Sequence, residues 1–251
     1  MNNATGPLPK GKPLILLTGC INPMGMTFTK LQNPEVRREQ YIEAIKFYLT
    51  TTDNNIVFVE NSGVDISEEF KELNKRLEIH TFKNNSYNKD LGKGYGEMII
   101  LDYAFKNSTL VQSTSSICKI TGRYRILNIV PILQSYNDAD CEIMADLPKR
   151  LTYGDSRIFI AEKAFFLNFL LPSANLINDS KGVYFEHVLC RCVLYSLMEK
   201  HAYLPLKYKP RIIGQSGTDA TSYDHSYWNW LWKNVKKKIM FRLFMDESKF
   251  S

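Results

Sequence analysis

The sequence predicts an α/β protein with a mostly parallel central sheet flanked by helices. Short apolar runs at 13–20, 55–59 and 117–120 alternate with segments whose apolar residues recur at helical spacing. Such alternation favours parallel strands joined by helices on both faces of one sheet. Polar and glycine-bearing clusters follow several of these runs, at the strand edge where ligands of open α/β sheets bind. The 251 residues, 44% hydrophobic and 12% aromatic, suit one domain with a substantial core and exclude a disordered chain. We place that domain at 1–225 and a distinct C-terminal tail at 226–251.

Residues 13–20, bounded by Gly11 and by Asn22-Pro23, read as a buried first strand whose carboxyl end carries Thr18, Gly19 and Asn22. Residues 37–49 set Tyr41, Ile42, Ile45, Tyr48 and Leu49 at helical spacing. The second strand, 55–59, ends in Glu60-Asn61-Ser62-Gly63. Glu60 and Asn61 stand where a base or ribose would be read, and equally fit a simple turn with a helix cap. A helix over 67–77 with Ser67 as N-cap, a third strand over 77–82 and an Asn- and Lys-rich loop over 83–90 follow.

Lys93-Gly94-Tyr95-Gly96-Glu97 then opens a helix running to about Phe105. Free N–H groups at a helix start attract anions, and glycine permits close approach of a ligand. The fourth strand, 117–120, leads into Lys119-Ile120-Thr121-Gly122-Arg123-Tyr124, whose two cations suit a diphosphate. Each signal is also met in plain turns and surface charges. Their order within the βα pattern is what joins them. Further on we expect a short helix over 126–136, strands at 141–145 and 157–161, an apolar helix at 164–171, a long helix at 182–200 with Glu186 and His187 in its first turns, and a last strand at 210–213 before a polar loop over 214–224.

The net charge of +6 fits a phosphate-bearing ligand, nucleic acid or an anionic membrane. Five scattered cysteines do not form a disulfide framework and indicate a reducing compartment. No apolar run is long enough to span a membrane. The tail holds all three tryptophans, Trp228, Trp230 and Trp232, among Lys233, Lys236, Lys237, Lys238 and Arg242. Aromatic and basic residues side by side suit the interface of an anionic bilayer, which we prefer to a terminal helix docked on the core with a solvated lysine face.

On Lys93-Gly-Tyr-Gly-Glu97 and Lys119-Ile-Thr-Gly-Arg-Tyr124, over residues 14–195 in element order, the chain resembles bacterial surface-polysaccharide glycosyltransferases with a GT-A-like fold, which build capsule or lipopolysaccharide. The resemblance implies a nucleotide-diphosphate sugar donor held by Thr18, Gly19, Asn22, Glu60 and Asn61, covered by Lys93, Gly94, Gly96 and Glu97, with Lys119, Thr121, Gly122 and Arg123 on the diphosphate. It also implies an acidic general base facing the acceptor, here Glu186, with His187 as alternative. Where the family usually has Asp-x-Asp, this chain has Thr121-Gly122-Arg123, and arginine neutralises phosphate directly. No metal is therefore expected to be required. Asp138-x-Asp140, one element late, reads as a solvent-facing loop, and would bind Mn²⁺ or Mg²⁺ only if that reading fails.

The expected activity is transfer of a sugar to a hydroxyl of a lipid-linked glycan, by a cytoplasmic enzyme peripheral to the inner face of the membrane, without nucleic-acid partners. Rival classes are a sugar nucleotidyltransferase and a non-catalytic protein binding nucleic acid or membrane. The first would need a basic triphosphate loop straight after the first strand, and residues 20–30 offer only Lys30.

Overall fold

The computed structural model describes residues 11–25, 29–71, 75–84, 86–215 and 226–247. The chain runs β1 (Leu14–Gly19), α1 (Pro34–Thr51), β2 (Ile56–Glu60), β3 (Leu77–Thr81), α2 (Gly92–Asn107), α3 (Thr109–Ser113), β4 (Ser116–Thr121) and β5 (Arg125–Ile126). It continues through α4 (Ile129–Asn137), β6 (Ile143–Met144), the turn α5 (Pro148–Leu151), β7 (Ile158–Glu162) and α6 (Lys163–Phe165). Then come α7 (Phe185–Met198), β8 (Tyr203–Leu204), β9 (Ile212–Ile213) and α8 (Tyr227–Glu247).

Seven strands form the main sheet in the order β3-β2-β1-β4-β7-β6-β8, and β5 pairs with β9 apart from it. β3, β2, β1 and β4 are parallel; β7 is antiparallel to β4 and to β6, while β6 and β8 are parallel. The mostly parallel α/β plan is thus the one expected. Strands buried on both faces alternate their side chains between two cores. Ile15 and Leu17 pack with Tyr48, Phe58 and Ile120 on one side, and Leu14 and Leu16 with Leu101, Phe166 and Leu189 on the other. α1 begins where Pro34 pre-sets the first turn and the Asn33 side chain accepts from the N–H groups of Glu35 and Val36.

The register brings Thr18 of β1 beside Thr121 of β4, and Gly19 beside Glu60 of β2. After β1 the chain moves outward to β2 and β3, then returns to lay β4 on the other side of β1. The carboxyl ends of β1 and β4 therefore flank the switch point at which open sheets leave a crevice.

Several boundaries differ from expectation. Of the helix expected over 67–77, residues 67–70 form a 3₁₀ turn and 72–74 lie outside the described residues; Ser67 does not cap the turn, and Asp65 accepts from the Ser67 N–H instead. The 164–171 helix is a short α turn followed by a π turn, Phe166–Leu170, and a 3₁₀ turn, Leu171–Leu176. β5 and β8 were not expected as strands. Most of the 214–224 loop lies outside the described residues. None of the five cysteines is in a disulfide, and among the described residues no helix is long and apolar enough to cross a membrane.

The tail helix α8 docks by one face. Trp230 Nε1 donates to the Lys209 carbonyl at 3.0 Å, the Lys209 N–H donates to Asn234 Oδ1 at 2.9 Å, and Lys237 pairs with Asp146 at 2.5 Å. Phe241 and Met245 pack against the core from the same face. Trp228 and Trp232, 75% and 74% exposed, point outward with Val235, Ile239 and Leu243.

Glu60 closes the sheet edge rather than facing a ligand. It is fully buried, and its carboxylate accepts from the N–H groups of Ile21, Ser62 and Val64 and from the Ser62 hydroxyl. Burial pushes its pKa up, and these donors oppose that rise. Glu60→Ala would strand these donors, so we expect a loss on the order of 3 kcal/mol in chemical denaturation, with Glu60→Gln losing less.

Candidate functional site

A cavity of about 640 Å³ opens at the carboxyl ends of β1 and β4. Thr18, Gly19, Lys119 and Thr121 line it from the sheet, Lys93, Gly94, Gly96 and Glu97 from the start of α2, and Glu186 from the start of α7. β7 runs antiparallel to β4, so the segment leading into it, Asp155-Ser156-Arg157, reaches the same rim. Among the described residues six cationic side chains line the cavity, Arg37, Lys93, Lys119, Arg123, Lys149 and Arg157, against the four carboxylates of Glu97, Asp155, Asp179 and Glu186. A low-dielectric cleft with such an excess favours anions.

A continuous polar chain crosses the floor. Lys119, only 1% exposed, pairs with Glu97 Oε1 at 2.5 Å and donates from Nζ to the Ser156 carbonyl at 2.8 Å. Thr18 Oγ1 donates to the same Glu97 oxygen at 2.6 Å, and Ser156 Oγ donates to Glu186 Oε1 at 2.7 Å. Arg123 is different. It is 6% exposed, Nη1 donates to Gln40 Oε1 and to the Gln215 carbonyl, both at 3.0 Å, and its Nε is buried without a hydrogen-bond partner. No ion pair of the described residues includes it. Asn61 Oδ1 and Asp179 Oδ1, also of lining residues, are likewise buried without a partner.

The glycines at the start of α2 serve the protein's own packing. Gly92 has φ +79°, and a Cβ there would lie 2.0 Å from an Asp179 carboxylate oxygen. A Cβ on Gly94 would come within 3.0 Å of the Phe185 nitrogen, where α7 begins. The expected anion position at this helix start is thus taken by the Asp179 carboxylate, toward which the N–H groups of Lys93 and Gly94 are directed. Asp179 is nevertheless held above the usual carboxylate range, first by burial and also by the charge of Glu186, with Lys93 opposing.

His187 closes the N-terminus of α7: its Nδ1 accepts from the Tyr184 N–H at 3.1 Å, and its ring lies 5.4 Å from that of Tyr184. Asp155 accepts both Arg157 nitrogens, Nε at 2.8 Å and Nη2 at 2.6 Å. At the mouth, Lys149, Arg150 and Leu151 occupy the left-handed region in succession, with φ 55°, 57° and 62°. That costs about 1–2 kcal/mol per non-glycine residue, and such strain clusters at functional sites.

Of the expected residues, Thr18, Gly19, Asn61, Lys93, Gly94, Gly96, Glu97, Lys119, Thr121, Arg123 and Glu186 share this cavity. Glu60, Asn22 and Gly122 are not among its lining; Gly122 instead lets its turn approach the Thr18 carbonyl, with its N–H donating there at 2.9 Å. Asp138 and Asp140 are exposed beyond the end of α4, outside the lining, and Asp138 accepts from Gln134. Of the lining carboxylates, Glu97 faces Lys119 and Asp155 faces Arg157, and the described residues hold no group of three His, Cys, Asp or Glu able to bind an ion. Sequence reasoning missed Arg37, Tyr87, Lys149, Ser156 and Asp179, which carry no local motif.

No protein-family model matches the sequence, and no curated protein matches it. Among solved structures, the chain is similar to a protein named as a nucleotide-diphospho-sugar transferase from Desulfovibrio desulfuricans G20, at 12% identity and a TM-score of 0.47 over 78% of this chain and 80% of that one. It is similar to the glycosyltransferase GlyE of Streptococcus pneumoniae TIGR4 at 10% identity and 0.47, over 78% of this chain and 45% of that longer one. The galactosyltransferase LgtC, solved with donor and acceptor sugar analogues, matches at 9% identity and 0.47 over 78% and 74%. With TM-scores below 0.5, these likenesses leave the functional reading to rest on the cavity itself.

Removing the Glu186 charge should lower the Asp179 titration midpoint while leaving it above the ordinary value, because burial is the larger cause. Carboxyl ¹³C NMR of Glu186→Gln checks this. A proton bound more tightly in the native state supports folding fully below the unfolded value of 3.8, and that support is lost as pH rises through the raised midpoint.

Proposed function

We propose that this chain is a glycosyltransferase that moves a sugar from a nucleotide-diphosphate donor to a hydroxyl of a lipid-linked glycan, with the donor in the 640 Å³ cavity. The observation that carries the reading is Arg123, a buried guanidinium that pairs with no carboxylate of the described residues and whose Nε has no hydrogen-bond partner among them, at the rim where open sheets bind nucleotides. An arginine fork suits a diphosphate. Lys93 lines the same cavity from the start of α2 and adds charge. Lys119, already neutralised by Glu97, fixes the floor instead of gripping the leaving group.

As the bond between sugar and diphosphate breaks, negative charge grows on the departing phosphate oxygens, and Arg123 stabilises it electrostatically. The acceptor oxygen forms the new bond to the anomeric carbon and gives up its proton. Glu186 takes that proton; Ser156 Oγ occupies one of its oxygens and orients the other. Asn61, with a buried unpartnered oxygen, accepts a donor hydrogen bond from base or ribose. The sugar is a unit of a bacterial surface polysaccharide in this reading.

The outward face of α8 supports a peripheral position at the inner face of the cell membrane. Trp228, Trp232, Val235, Ile239 and Leu243 lie along it, and Lys233, Lys236 and Arg242 accompany them.

A thermal-shift panel of nucleoside diphosphates and nucleotide sugars tests the donor site. One nucleotide diphosphate should raise the Tm, and Arg123→Gln should weaken its binding at least tenfold. In sugar-transfer assays Arg123→Gln and Glu186→Gln should each lower kcat by roughly 100-fold. No response to any diphosphate nucleotide would sink the reading, and stabilisation only by a nucleoside triphosphate would favour a nucleotidyltransferase. Separately, Trp228→Ser/Trp232→Ser should release the protein from anionic phosphatidylglycerol vesicles in sedimentation while leaving nucleotide binding intact.

A further inference from the structure

A second cavity, of about 110 Å³, lies where the segment 209–213 meets the first turns of α8. It is small beside the several hundred Å³ of sites for organic ligands. Arg157, Lys209, Arg211 and Lys233 line it, with Asp146 and Asp155 as its carboxylates. Both carboxylates are already engaged. Asp155 holds Arg157 through two hydrogen bonds, and Asp146 pairs with Lys237 and accepts from the Leu206 N–H. Lys209, Arg211 and Lys233 belong to no ion pair of the described residues.

The backbone that carries two of these cations is pinned by hydrogen bonds. The Lys209 carbonyl accepts from Trp230 Nε1 and from Asn128 Nδ2, its N–H donates to Asn234, and the Arg211 N–H donates to Asn128 Oδ1 at 2.7 Å. The Arg211 guanidinium lies 5.0 Å from the Tyr227 ring and 5.7 Å from the Trp230 ring. Like charges gathered around one small cavity repel unless an anion joins them. Burial, and after it the nearby Arg157 and Lys233, hold the Lys209 ammonium below its usual range. Arg157 and Asp155 line this cavity and the larger one alike.

We propose that the second cavity is a binding site for a phosphate group, supplied by the acceptor. Its assignment to the acceptor rests on the transferase reading above; the anion site itself does not. Arg157, between the two cavities, places this phosphate on the side of the donor cavity away from β1. The exposed tryptophans of α8 begin one residue from the lining residue Asn229, so a lipid carrying the phosphate would approach from that side.

The test uses the full chain with inorganic pyrophosphate in equilibrium dialysis. The unchanged protein should bind at two sites. Lys209→Gln/Arg211→Gln and Arg123→Gln should each keep one, and the combined variant should keep none. Lys209→Arg should retain binding, which separates charge from folding, and circular dichroism checks the fold of each variant. A second arm sediments the proteins with phosphatidylcholine vesicles with and without phosphatidic acid. At least tenfold weaker binding of Lys209→Gln/Arg211→Gln to the phosphatidic acid vesicles identifies a lipid phosphate. Unchanged vesicle binding with lost pyrophosphate binding identifies a phosphate free of lipid. If the double variant matches the unchanged protein in both arms, the proposal is overturned. That result is independent of whether Arg123→Gln affects nucleotide diphosphates.

Discussion

A lysine inside the central sheet constrains most of the cavity. Lys119 lies in β4 between β1 and β7 and is almost wholly shielded from water. Desolvating an ammonium costs several kcal/mol, and leaving it unpaired costs about 3–5 kcal/mol. The chain must therefore bring an anion and a carbonyl to one point. Glu97 comes from α2, the Ser156 carbonyl from the approach to β7, and the Phe185 ring from the start of α7, 5.5 Å away. Three segments remote in sequence are located by one charge, and the floor of the cavity is what lies between them.

That arrangement divides the labour among the cations. A charge already matched by a carboxylate adds little attraction for a second anion, so Lys119 is a poor phosphate ligand despite its position. Arg123, in the turn after β4, has only neutral acceptors on its guanidinium among the described residues. The same logic applies to α2. Its N-terminal N–H groups would be an anion site, but Asp179 fills that role from within the chain, and Gly92 and Gly94 make room for it and for Phe185. The glycines bring two helix starts together, and the partial charges there are internally matched.

The parallel half of the sheet was legible because β1 and β2 are buried on both faces and read as apolar runs, and β4 keeps Ile117, Cys118 and Ile120 around its one lysine. The gathering of Lys93, Lys119 and Arg123 was legible too, since strand ends and helix starts in a βα unit converge on one rim. What sequence could not show was pairing across distance. Glu60 looks like a ligand residue until Ile21, Ser62 and Val64 are seen to surround it. Asp179 sits in a polar stretch with no helical or strand period, and only the fold brings it to α2. The antiparallel β7 has the same composition as a parallel strand, so its direction, which delivers Ser156 and Arg157 to the rim, had no signature. β8 has two residues, too few for any periodicity to register.

The tail helix poses the question of why one helix should be apolar on two opposite sides. At 100° per residue, Trp228, Trp232, Val235, Ile239 and Leu243 fall within a stripe opposite Trp230, Asn234, Lys237, Phe241 and Met245. The second set accounts for docking. A helix that only docked would carry polar residues on its outer side, because exposed apolar area there does nothing for the monomer. Lys236 and Arg242 flank that outer stripe, whereas Lys238 turns back over the Tyr208 ring, 4.9 Å from its centre. The docking face ties that surface to the body through Lys209 and Asp146, both lining residues of the cationic cavity. The inner stripe of α8 thus borders a small cationic pocket that shares Arg157 with the larger cavity, so one helix joins an exposed apolar face to the rim of the sheet.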